Sequence, residues 1–294
     1  MANENAVPSV SVIVAALNSA ATLPRCIDSV SNQEGVATEL IVIDGGSSDG
    51  STEILEAKGG LIAYRESEPD RGVYHAWNKA LRRATGTWVC FLGADDRLAE
   101  PTTLKSLVEA GEREEADLVC SRVRYEASEK SGDLVIGQPW SWSKMTSFMC
   151  VAHPGLLHRR TLFERFGEFS EEYRIAGDYD FLLRLGPNTT AAFVDQATVN
   201  VGGTGLSSDT ADTLKEMRLI QSRHPKIGPL KAGLNYGKCA AERALWGMLE
   251  RLPFKLPESH AIRAVGRVLG LHRHDYDVPA GSSIGPANGE GEGN

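Results

Sequence analysis

The fold is decided by residues 88–96, WVCFLGADD, in which a fully apolar strand leads into two adjacent aspartates, Asp95 and Asp96. Two acids at the end of a strand are costly to hold together unless a cation neutralises them. Hard oxygen ligands of this kind suit Mg²⁺ or Mn²⁺. Asp-Asp pairs also occur in plain surface turns. From this stretch alone, a metal site and a surface turn are equally good interpretations.

Outward from this stretch, short β-branched apolar runs alternate with helical periodicity from residue 9 to about residue 120. The alternation is typical of βαβ units around a largely parallel sheet. We predict strands at Ser9–Ala16, Glu39–Asp44, Leu61–Arg65, Trp88–Gly93 and Asp117–Tyr125. We predict helices at Val73–Ala84, Pro101–Gly111, Thr161–Phe166 and Asp178–Leu185. The polar side of the first helix is predicted to carry His75, Asn78, Lys79 and Arg82.

The second informative stretch is residues 39–52, ELIVIDGGSSDGST, where a buried strand ends in Asp44. Ligands of open α/β sheets bind just past the carboxyl ends of strands, so an acid there can accept hydrogen bonds from a base or a ribose. An Asx turn with a helix cap at Asp49 or Ser51 is an equal alternative. The dinucleotide fingerprint G-x-G-x-x-G does not follow the first strand, where the chain reads AALNSAAT.

The third informative stretch is residues 176–185, AGDYDFLLRL, which places Asp178 at the start of an apolar helix and Asp180 two residues later. Acidic residues in the first turn favour the positive end of the helix dipole. From these residues alone, the preferred interpretation is that Asp178 is a helix N-cap. A cap and a catalytic carboxylate do not exclude each other, because capping also fixes the direction of the side chain.

The composition is that of a globular protein with a sizeable core, 294 residues of which 41% are hydrophobic. The net charge of −8 argues against a nucleic-acid partner, whose binding depends on phosphate neutralisation. The five cysteines show no CxxC spacing, so neither a disulfide framework nor a zinc site is predicted. We see no signal peptide and no window near the roughly 18 apolar residues of a membrane span, so a cytoplasmic location is expected.

Seven segments, taken in order, resemble family 2 glycosyltransferases, and together they span roughly residues 9–210. They are SVIVAALN at 11–18, IVIDGGSSDGST at 41–52, SEPDRGVYHAWNKALRRATG at 67–86, FLGADD at 91–96, HPGLLHRRTLFERFGEF at 153–169, YRIAGDYDFLLRL at 173–185 and GGTGLSS at 202–208. The last three resemble the acceptor half of bacterial capsular and exopolysaccharide enzymes. The resemblance implies a GT-A fold, an α/β architecture whose mostly parallel mixed sheet is flanked by helices, with a C-terminal helical extension.

The resemblance also implies roles for individual residues. A nucleotide-sugar pocket is expected at Ala15, Asn18, Asp44, Asp70, Arg71, Asp95 and His153. Within it, Asp44 would face the base and His153 would lie near the sugar diphosphate, although a lone histidine is more often a hydrogen-bonded scaffold residue. Asp178 would be the catalytic base.

The DXD metal motif of the family falls on Ala94, Asp95 and Asp96, so its first acidic position is an alanine. Asp96 is expected to be the better ligand for Mn²⁺ or Mg²⁺. Such a metal would be held by one carboxylate, waters and the diphosphate, which is normal for these ions.

The function implied by the resemblance is inverting, hexosyltransferase-type transfer of a single sugar from a nucleotide-diphosphate sugar donor to an acceptor hydroxyl. A saccharide or lipid-linked saccharide acceptor in bacterial cell-surface polysaccharide biosynthesis is expected. One alternative is a sugar nucleotidyltransferase, which would need a Gly-rich basic loop where AALNSAATLPR offers only Arg25. Another is a noncatalytic GT-A-like binding protein, for which Ala94 is the only support.

We predict a glycosyltransferase domain over residues 1–225, with a nucleotide-binding half at 9–125 and an acceptor half at 126–225. A helical extension is predicted at 226–278, a disordered tail at 279–294 and a substrate-covering loop at 202–208. Residues 238–274 carry seven Lys/Arg and three Asp/Glu, a charge of +4. They are interpreted as a helix packed on the catalytic domain or, alternatively, as a peripheral contact with the inner face of the plasma membrane.

Overall fold

The computed structural model describes residues 9–125, 134–202 and 210–250. Its strands are β1 Val10–Ala16, β2 Thr38–Asp44, β3 Tyr64–Ser67, β4 Trp88–Gly93, β5 Arg97–Leu98, β6 Leu118–Tyr125, β7 Leu134–Ile136, β8 Leu157–Arg159 and β9 Ala191–Val201. Its helices are α1 Leu23–Ser31, α2 Ser51–Ala57, α3 Val73–Leu81, α4 Thr103–Arg113, α5 Trp142–Met145, α6 Thr161–Phe166, α7 Gly177–Leu185, α8 Thr210–Arg223 and α9 Gly228–Glu250. A 3₁₀ turn at Gly59–Leu61 precedes β3.

One mixed sheet runs in the order β3-β2-β1-β4-β8-β6-β9-β5, with β7 paired to β6. The first four of these strands are mutually parallel. Strand β8 runs antiparallel to both β4 and β6, whereas β6 and β9 are parallel. Parallel pairing brings the ends of β1, β2 and β4 to the same edge of the sheet, which we call the C-terminal edge.

The central strands pack into two apolar cores, one on each face of the sheet. In β1, Val12 and Val14 pack on the face covered by α1, α2 and α4, whereas Ile13 packs on the face covered by α3, α6 and α7. All three side chains are fully buried. Burial on both faces is the reason why these strands are continuous apolar runs without polar alternation.

The strands and helices predicted for the first half are confirmed, with one displaced strand. The bounds of β4 and α6 are those predicted, and β1, β2 and β6 begin within one residue of the prediction. Strand β3 begins at Tyr64 and not at Leu61. The reason is that the backbone before it is used in the 3₁₀ turn, in which the Leu61 amide donates to the Lys58 carbonyl at 2.9 Å.

The predicted polar side of α3 is wrong at Asn78, which is 2% exposed. Its Nδ2 donates to the carbonyl of Phe169 at 2.9 Å, and its Oδ1 accepts from the amide of Phe169 at 3.0 Å. The side chain therefore satisfies a buried loop backbone in the way a neighbouring strand would. Helical periodicity cannot distinguish an amide in this role from one that faces water.

The hairpin of α8 and α9 is tied to α7 by buried polar contacts. Gln221 on α8 donates to the hydroxyl of Tyr179 at 2.8 Å, and Asn235 on α9 donates to Gln221 Oε1 at 2.8 Å. No helix in the described part of the chain is long and apolar enough to cross a membrane. The predicted tail at 279–294 and residues 251–274 lie outside the described residues, and the predicted domain boundaries stay predictions.

Candidate active site

The C-terminal edge brings several of the predicted site residues together. Ala15 at the end of β1 pairs with Ile43 on one side and Gly93 on the other, and Ala16 pairs with Asp44. Neighbouring strands lie about 4.8 Å apart, so the ends of β2 and β4 are about 10 Å from each other across β1. The loops that follow these three strands therefore begin side by side at the C-terminal edge.

Asp44 is fully buried and organises the loop after β2. Its carboxylate accepts hydrogen bonds from the amides of Gly46 at 3.2 Å and Ser47 at 2.9 Å. The hydroxyls of Ser47 and Ser67 also donate to it, at 2.5 and 2.6 Å. The Asx-type turn that was one alternative for this loop is therefore present. The predicted contact of Asp44 with a base would require one of these donors to move, and it stays a prediction.

Asn18 connects the loop after β1 to the loop after β2. Its backbone is left-handed, with φ of +49°, a conformation that asparagine tolerates better than most residues. Its backbone amide donates to Ser47 Oγ at 2.6 Å, and its side-chain Oδ1 accepts from the backbone amide of Ser48 at 3.1 Å. The side chain is exposed, so Asn18 lies on the solvent-facing side of the C-terminal edge.

Asp70 reaches the same edge from the loop after β3. Its Oδ2 lies where a side chain at position 45 would stand, 2.8 Å from the position of a Cβ on Gly45. Its Oδ1 accepts from the amide of Gly72 at 2.9 Å. The neighbouring Arg71 differs, because its guanidinium pairs with Glu171 at 2.6 Å and its side chain is 71% exposed. The structure thus brings Asp70, but not the Arg71 side chain, to the end of β2.

Asp96 is 5% exposed, and its two carboxylate oxygens accept from the amides of Gly93 at 2.8 Å and Gly202 at 3.1 Å. Burial, together with the nearby charge of Asp95, raises the pKa of Asp96 to about 7 although the two hydrogen bonds from amides oppose the shift. Gly202 leaves room for Asp95, since a Cβ there would lie 2.4 Å from Asp95 Oδ2. The remaining residues of the predicted substrate-covering loop, 203–208, lie outside the described residues.

The two carboxylates fit one hard divalent cation. A carboxyl group with a raised pKa is held ionised most easily by a neighbouring positive charge. In residues 9–125, 134–202 and 210–250, no group of three or more histidine, cysteine, aspartate or glutamate side chains could hold a metal ion. Asp95 and Asp96 would therefore need water and substrate oxygens to complete the coordination, as Mg²⁺ and Mn²⁺ readily accept.

Asp178 is the second residue of α7 and not its N-cap, so the preferred interpretation from the sequence alone is wrong. The cap position is Ala176. Asp178 Oδ1 accepts from the amide of Tyr179 at 2.8 Å and lies 3.2 Å from the hydroxyl of Tyr74. Burial raises the pKa of Asp178 to about 6 although these hydrogen bonds oppose the shift. A carboxylate with that pKa is well suited to accept a proton near neutral pH.

Tyr74 is a site residue that the sequence analysis missed. Helical spacing drew attention to Val73 and Trp77, while the polar end of Tyr74 lies in the interior. Its hydroxyl lies 2.6 Å from the carbonyl of Ile175. Burial, together with the charge of Asp178, raises the pKa of Tyr74, so the phenol stays protonated and acts as a donor.

His153 is 5% exposed and stacks on the Trp77 ring, with centroids 5.2 Å apart. Burial lowers the pKa of His153 to about 3, so the ring is neutral. Its Nε2 has no hydrogen-bond partner among the described residues. His153 is therefore not a hydrogen-bonded scaffold residue at that atom, and its predicted role near the sugar diphosphate stays a prediction.

Solved structures of known proteins share the fold of this chain. Mannosyltransferase PcManGT from Pyrobaculum calidifontis, in complex with GDP-Man and Mn²⁺, matches with a TM-score of 0.60 at 20% identity and covers 92% of this chain and 82% of that chain. TarS 1–349 of S. aureus, in complex with UDP-GlcNAc, matches with a TM-score of 0.60 at 18% identity. The match covers 78% of this chain and 70% of that chain. A longer TarS structure is covered over 43% of its length. At these identities the likeness shows the fold alone, which is GT-A.

Sequence relatives add the family. The model of glycosyl transferase family 2 matches residues 11–156. A PGL/p-HBAD biosynthesis glycosyltransferase of Mycobacterium tuberculosis is 36% identical over 217 residues, which cover 70% of this chain and 82% of that protein. The sugar nucleotidyltransferase and the noncatalytic binding protein are thereby set aside. The chain belongs to glycosyl transferase family 2 and is a glycosyltransferase with the GT-A fold.

Proposed function

We propose that this enzyme transfers a single sugar from a nucleoside-diphosphate sugar to an acceptor hydroxyl with inversion at the anomeric carbon. The observation that carries the proposal is Asp178, a partly buried carboxylate at the start of α7 whose pKa is raised to about 6 by burial. Both of its hydrogen bonds from Tyr74 and Tyr179 fall on Oδ1. Oδ2 is therefore the oxygen that we propose takes the proton of the acceptor.

The proposed reaction is a single displacement. Asp178 Oδ2 takes the proton of the acceptor hydroxyl while that oxygen attacks the anomeric carbon and the bond to the nucleoside diphosphate breaks. One displacement inverts the configuration at that carbon. Tyr74 remains protonated and holds Asp178 in one orientation, so that little reorganisation is needed during the reaction.

The donor is proposed to bind across the C-terminal edge, beside Ala15, Asn18, Asp44 and Asp70. His153 would contribute its unpartnered Nε2 to the sugar diphosphate, and Arg71 would join the nucleotide after leaving Glu171. The complexes of TarS with UDP-GlcNAc and of PcManGT with GDP-Man support a nucleotide-sugar donor.

We infer that Mn²⁺ or Mg²⁺ binds at Asp96, with Asp95 beside it. When bound, such an ion supplies positive charge that stabilises the departing diphosphate. The support is the buried carboxylate of Asp96 next to the half-buried Asp95, together with the Mn²⁺ in the PcManGT complex. Because Ala94 contributes no carboxylate, we expect most of the coordination to come from water and the diphosphate.

The acceptor is proposed to be a saccharide or a lipid-linked saccharide in bacterial cell-surface biosynthesis. Support comes from the relative named for PGL/p-HBAD biosynthesis. Leu230 and Leu234, four residues apart on α9, are 80% and 68% exposed and share one helix face. With the charge of +4 in residues 238–274, this face suits a peripheral contact with an anionic membrane on its cytoplasmic side.

The reaction is tested by incubating the protein with UDP-, GDP- and dTDP-sugars, candidate acceptors and Mn²⁺, and by determining the anomeric configuration of the product by NMR. We expect transfer from one nucleotide class, with inversion. A product of retained configuration would contradict the single displacement.

Flotation with anionic and neutral vesicles tests the proposed membrane contact. The contact is contradicted if the Leu230→Ser, Leu234→Ser double variant floats as the native chain does.

A further inference from the structure

Glu216 on α8 binds the backbone that leads into α7. Its Oε1 accepts from the amide of Arg174 at 2.9 Å, and its Oε2 accepts from the amides of Ile175 at 2.8 Å and Ala176 at 2.9 Å. Of these three amides only that of Ala176 belongs to the helix start, where the helix dipole favours a negative charge, and the other two precede it. The cap position of α7 is Ala176, whose side chain cannot accept a hydrogen bond. Glu216 therefore binds three consecutive amides that lead up to and include the cap position of α7.

The same segment is held by Tyr74 on α3. The Tyr74 hydroxyl lies 2.6 Å from the carbonyl of Ile175. The ring packs on Gly177, where a Cβ would lie 2.8 Å from the nearest ring carbon. Residues 174–176 are thus fixed by one donor from α3 and one carboxylate from α8, and Asp178 follows them directly.

The position of α8 does not depend on Glu216. Ile220 on α8 is 2% exposed and packs in the core on the α7 side of the sheet. Gln221 donates to the hydroxyl of Tyr179 at 2.8 Å and to the carbonyl of Ser147 at 3.1 Å. Because these contacts attach the helix independently, the carboxylate of Glu216 can be changed while α8 remains docked.

We propose that Glu216 is a positioning residue for the acceptor base: by holding the amides of residues 174–176 it fixes the direction in which Asp178 faces the acceptor hydroxyl. The inference rests on the proposed role of Asp178. It makes the α8–α9 hairpin part of the catalytic apparatus, because the group that aims the base belongs to that hairpin. Glu216 itself does not touch the substrate.

Three groups act on the Asp178 carboxyl from the elements around it. Burial contributes most to its raised pKa, the amide of Tyr179 and the hydroxyl of Tyr74 oppose the shift, and the negative charge of Glu216 adds to it. Removing that charge should therefore lower the pKa of Asp178. A lower pKa of Asp178 in the variant would show that the Glu216 charge acts on the base. A substitution that only destabilised the protein would not shift this pKa downward.

The experiment uses the full chain with Glu216→Ala and Glu216→Gln. We expect Glu216→Ala to lower kcat about 10²-fold, because small misplacements of a catalytic group have effects of that size. The donor KM should not change. Glu216→Gln keeps one acceptor oxygen, so its kcat should fall only about tenfold. In the pH profile of kcat, the acid limb of Glu216→Gln should also move to lower pH.

Glu172 provides the matched control. It pairs with Arg223 on α8 at 2.5 Å and so links the same two regions without touching the amides before α7. Glu172→Ala should retain the kcat and the acid limb of the native enzyme. The inference is overturned if Glu216→Ala loses no more activity than Glu172→Ala, or if the acid limb of Glu216→Gln stays where it is in the native enzyme.

The proposed function is tested separately. If Asp178→Asn retains turnover, the role of Asp178 fails whatever the Glu216 variants do. If Asp178→Asn is inactive and Glu216→Ala is fully active, only the positioning role of Glu216 fails.

Discussion

The proposed donor side, at the C-terminal edge, and the proposed acceptor side, at the start of α7, are built in different ways. At the proposed donor side, three of the four hydrogen bonds to Asp44 come from Gly46 and Ser47, two and three residues after it. Asp96 accepts from Gly93, three residues before it, but also from Gly202, 106 residues away. Asp178 on the acceptor side depends on Tyr74, 104 residues away in sequence, and on the segment that Glu216 holds from α8. The surroundings of Asp44 are therefore largely local, whereas the surroundings of Asp178 are assembled by tertiary packing.

The sharpest way to break this comparison is Asp178→Asn. A general base contributes about 10²- to 10⁴-fold, so we expect kcat to fall about 10³-fold. Nucleotide binding, followed by thermal shift, should be retained because the donor side is independent. Asp180→Asn is the control, since Asp180 pairs with Arg184 at 3.0 Å on the same helix and should be dispensable for turnover. Near-normal turnover of Asp178→Asn would remove it as the base.

Asp96→Asn tests the donor side. Loss of the proposed metal ligand should lower kcat in the presence of Mn²⁺ about 10²-fold, the typical effect of losing one electrostatic stabiliser of the transition state. The measurement is nucleotide binding with and without Mn²⁺, in which the variant should lose the increment due to the metal and keep the rest. An unchanged response to Mn²⁺ would exclude Asp96 as a ligand.

The third prediction concerns pH. Asp178 must be ionised to accept a proton, and burial raises its pKa to about 6. Activity should therefore be lost as the pH falls through about 6, with kcat about tenfold lower at pH 5 than on the plateau. The profile is measured at saturating donor, acceptor and Mn²⁺. A limb near pH 4, the usual range of an aspartate, would contradict the proposed environment of the base.

The same contrast explains what the sequence could predict. Strands β1, β2 and β4 and the acids at their ends follow from apolar runs and neighbouring loop residues, so these positions were predicted closely. The resemblance also singled out Asp178. Its surroundings were not predictable, because Tyr74 resembles an ordinary core aromatic and Glu216 resembles an ordinary polar residue on a helix.

The error at Asp178 has the same origin. An acid at the start of an apolar helix is usually a cap, and from the residues alone that was the better interpretation. Glu216 binds the amides that lead to the cap position, Ala176, and Asp178 lies two positions further into the helix, where its carboxylate also contacts Tyr74. The local preference for an acidic N-cap was outweighed by the contact that Glu216 makes from another part of the chain.

Tyr74→Phe should have a smaller effect. Loss of the hydroxyl removes the single proton donor that the Ile175 carbonyl, at 2.6 Å, and Asp178 Oδ1, at 3.2 Å, share, and kcat should fall about fivefold. Because a hydrogen bond to the ionised form is lost, the pKa of Asp178 should rise, and the acid limb should move to higher pH. Tyr64→Phe is the matched control, since Tyr64 donates to Glu66 on β3 at 2.8 Å. Equal effects of the two substitutions would contradict the role of Tyr74.

Tyr74→Phe and Glu216→Gln should thus move the acid limb in opposite directions, upward and downward, although both loosen the same segment. Two changes that merely destabilised the protein would not differ in sign. The pair therefore sharpens the claim that the acceptor side is set by tertiary contacts.

The smallest effect is expected on the donor side, from Ser67→Ala. The substitution removes one of the hydrogen bonds to Asp44 and leaves those of Gly46 and Ser47. The free energy of unfolding should fall by about 1 kcal/mol in urea titrations, the usual contribution of one hydrogen bond, with kcat and the acid limb unchanged. If nucleotide binding collapsed instead, the loop after β2 would be as dependent on single distant contacts as α7 is. The distinction between a locally built Asp44 loop and an Asp178 site built by tertiary contacts would then be lost.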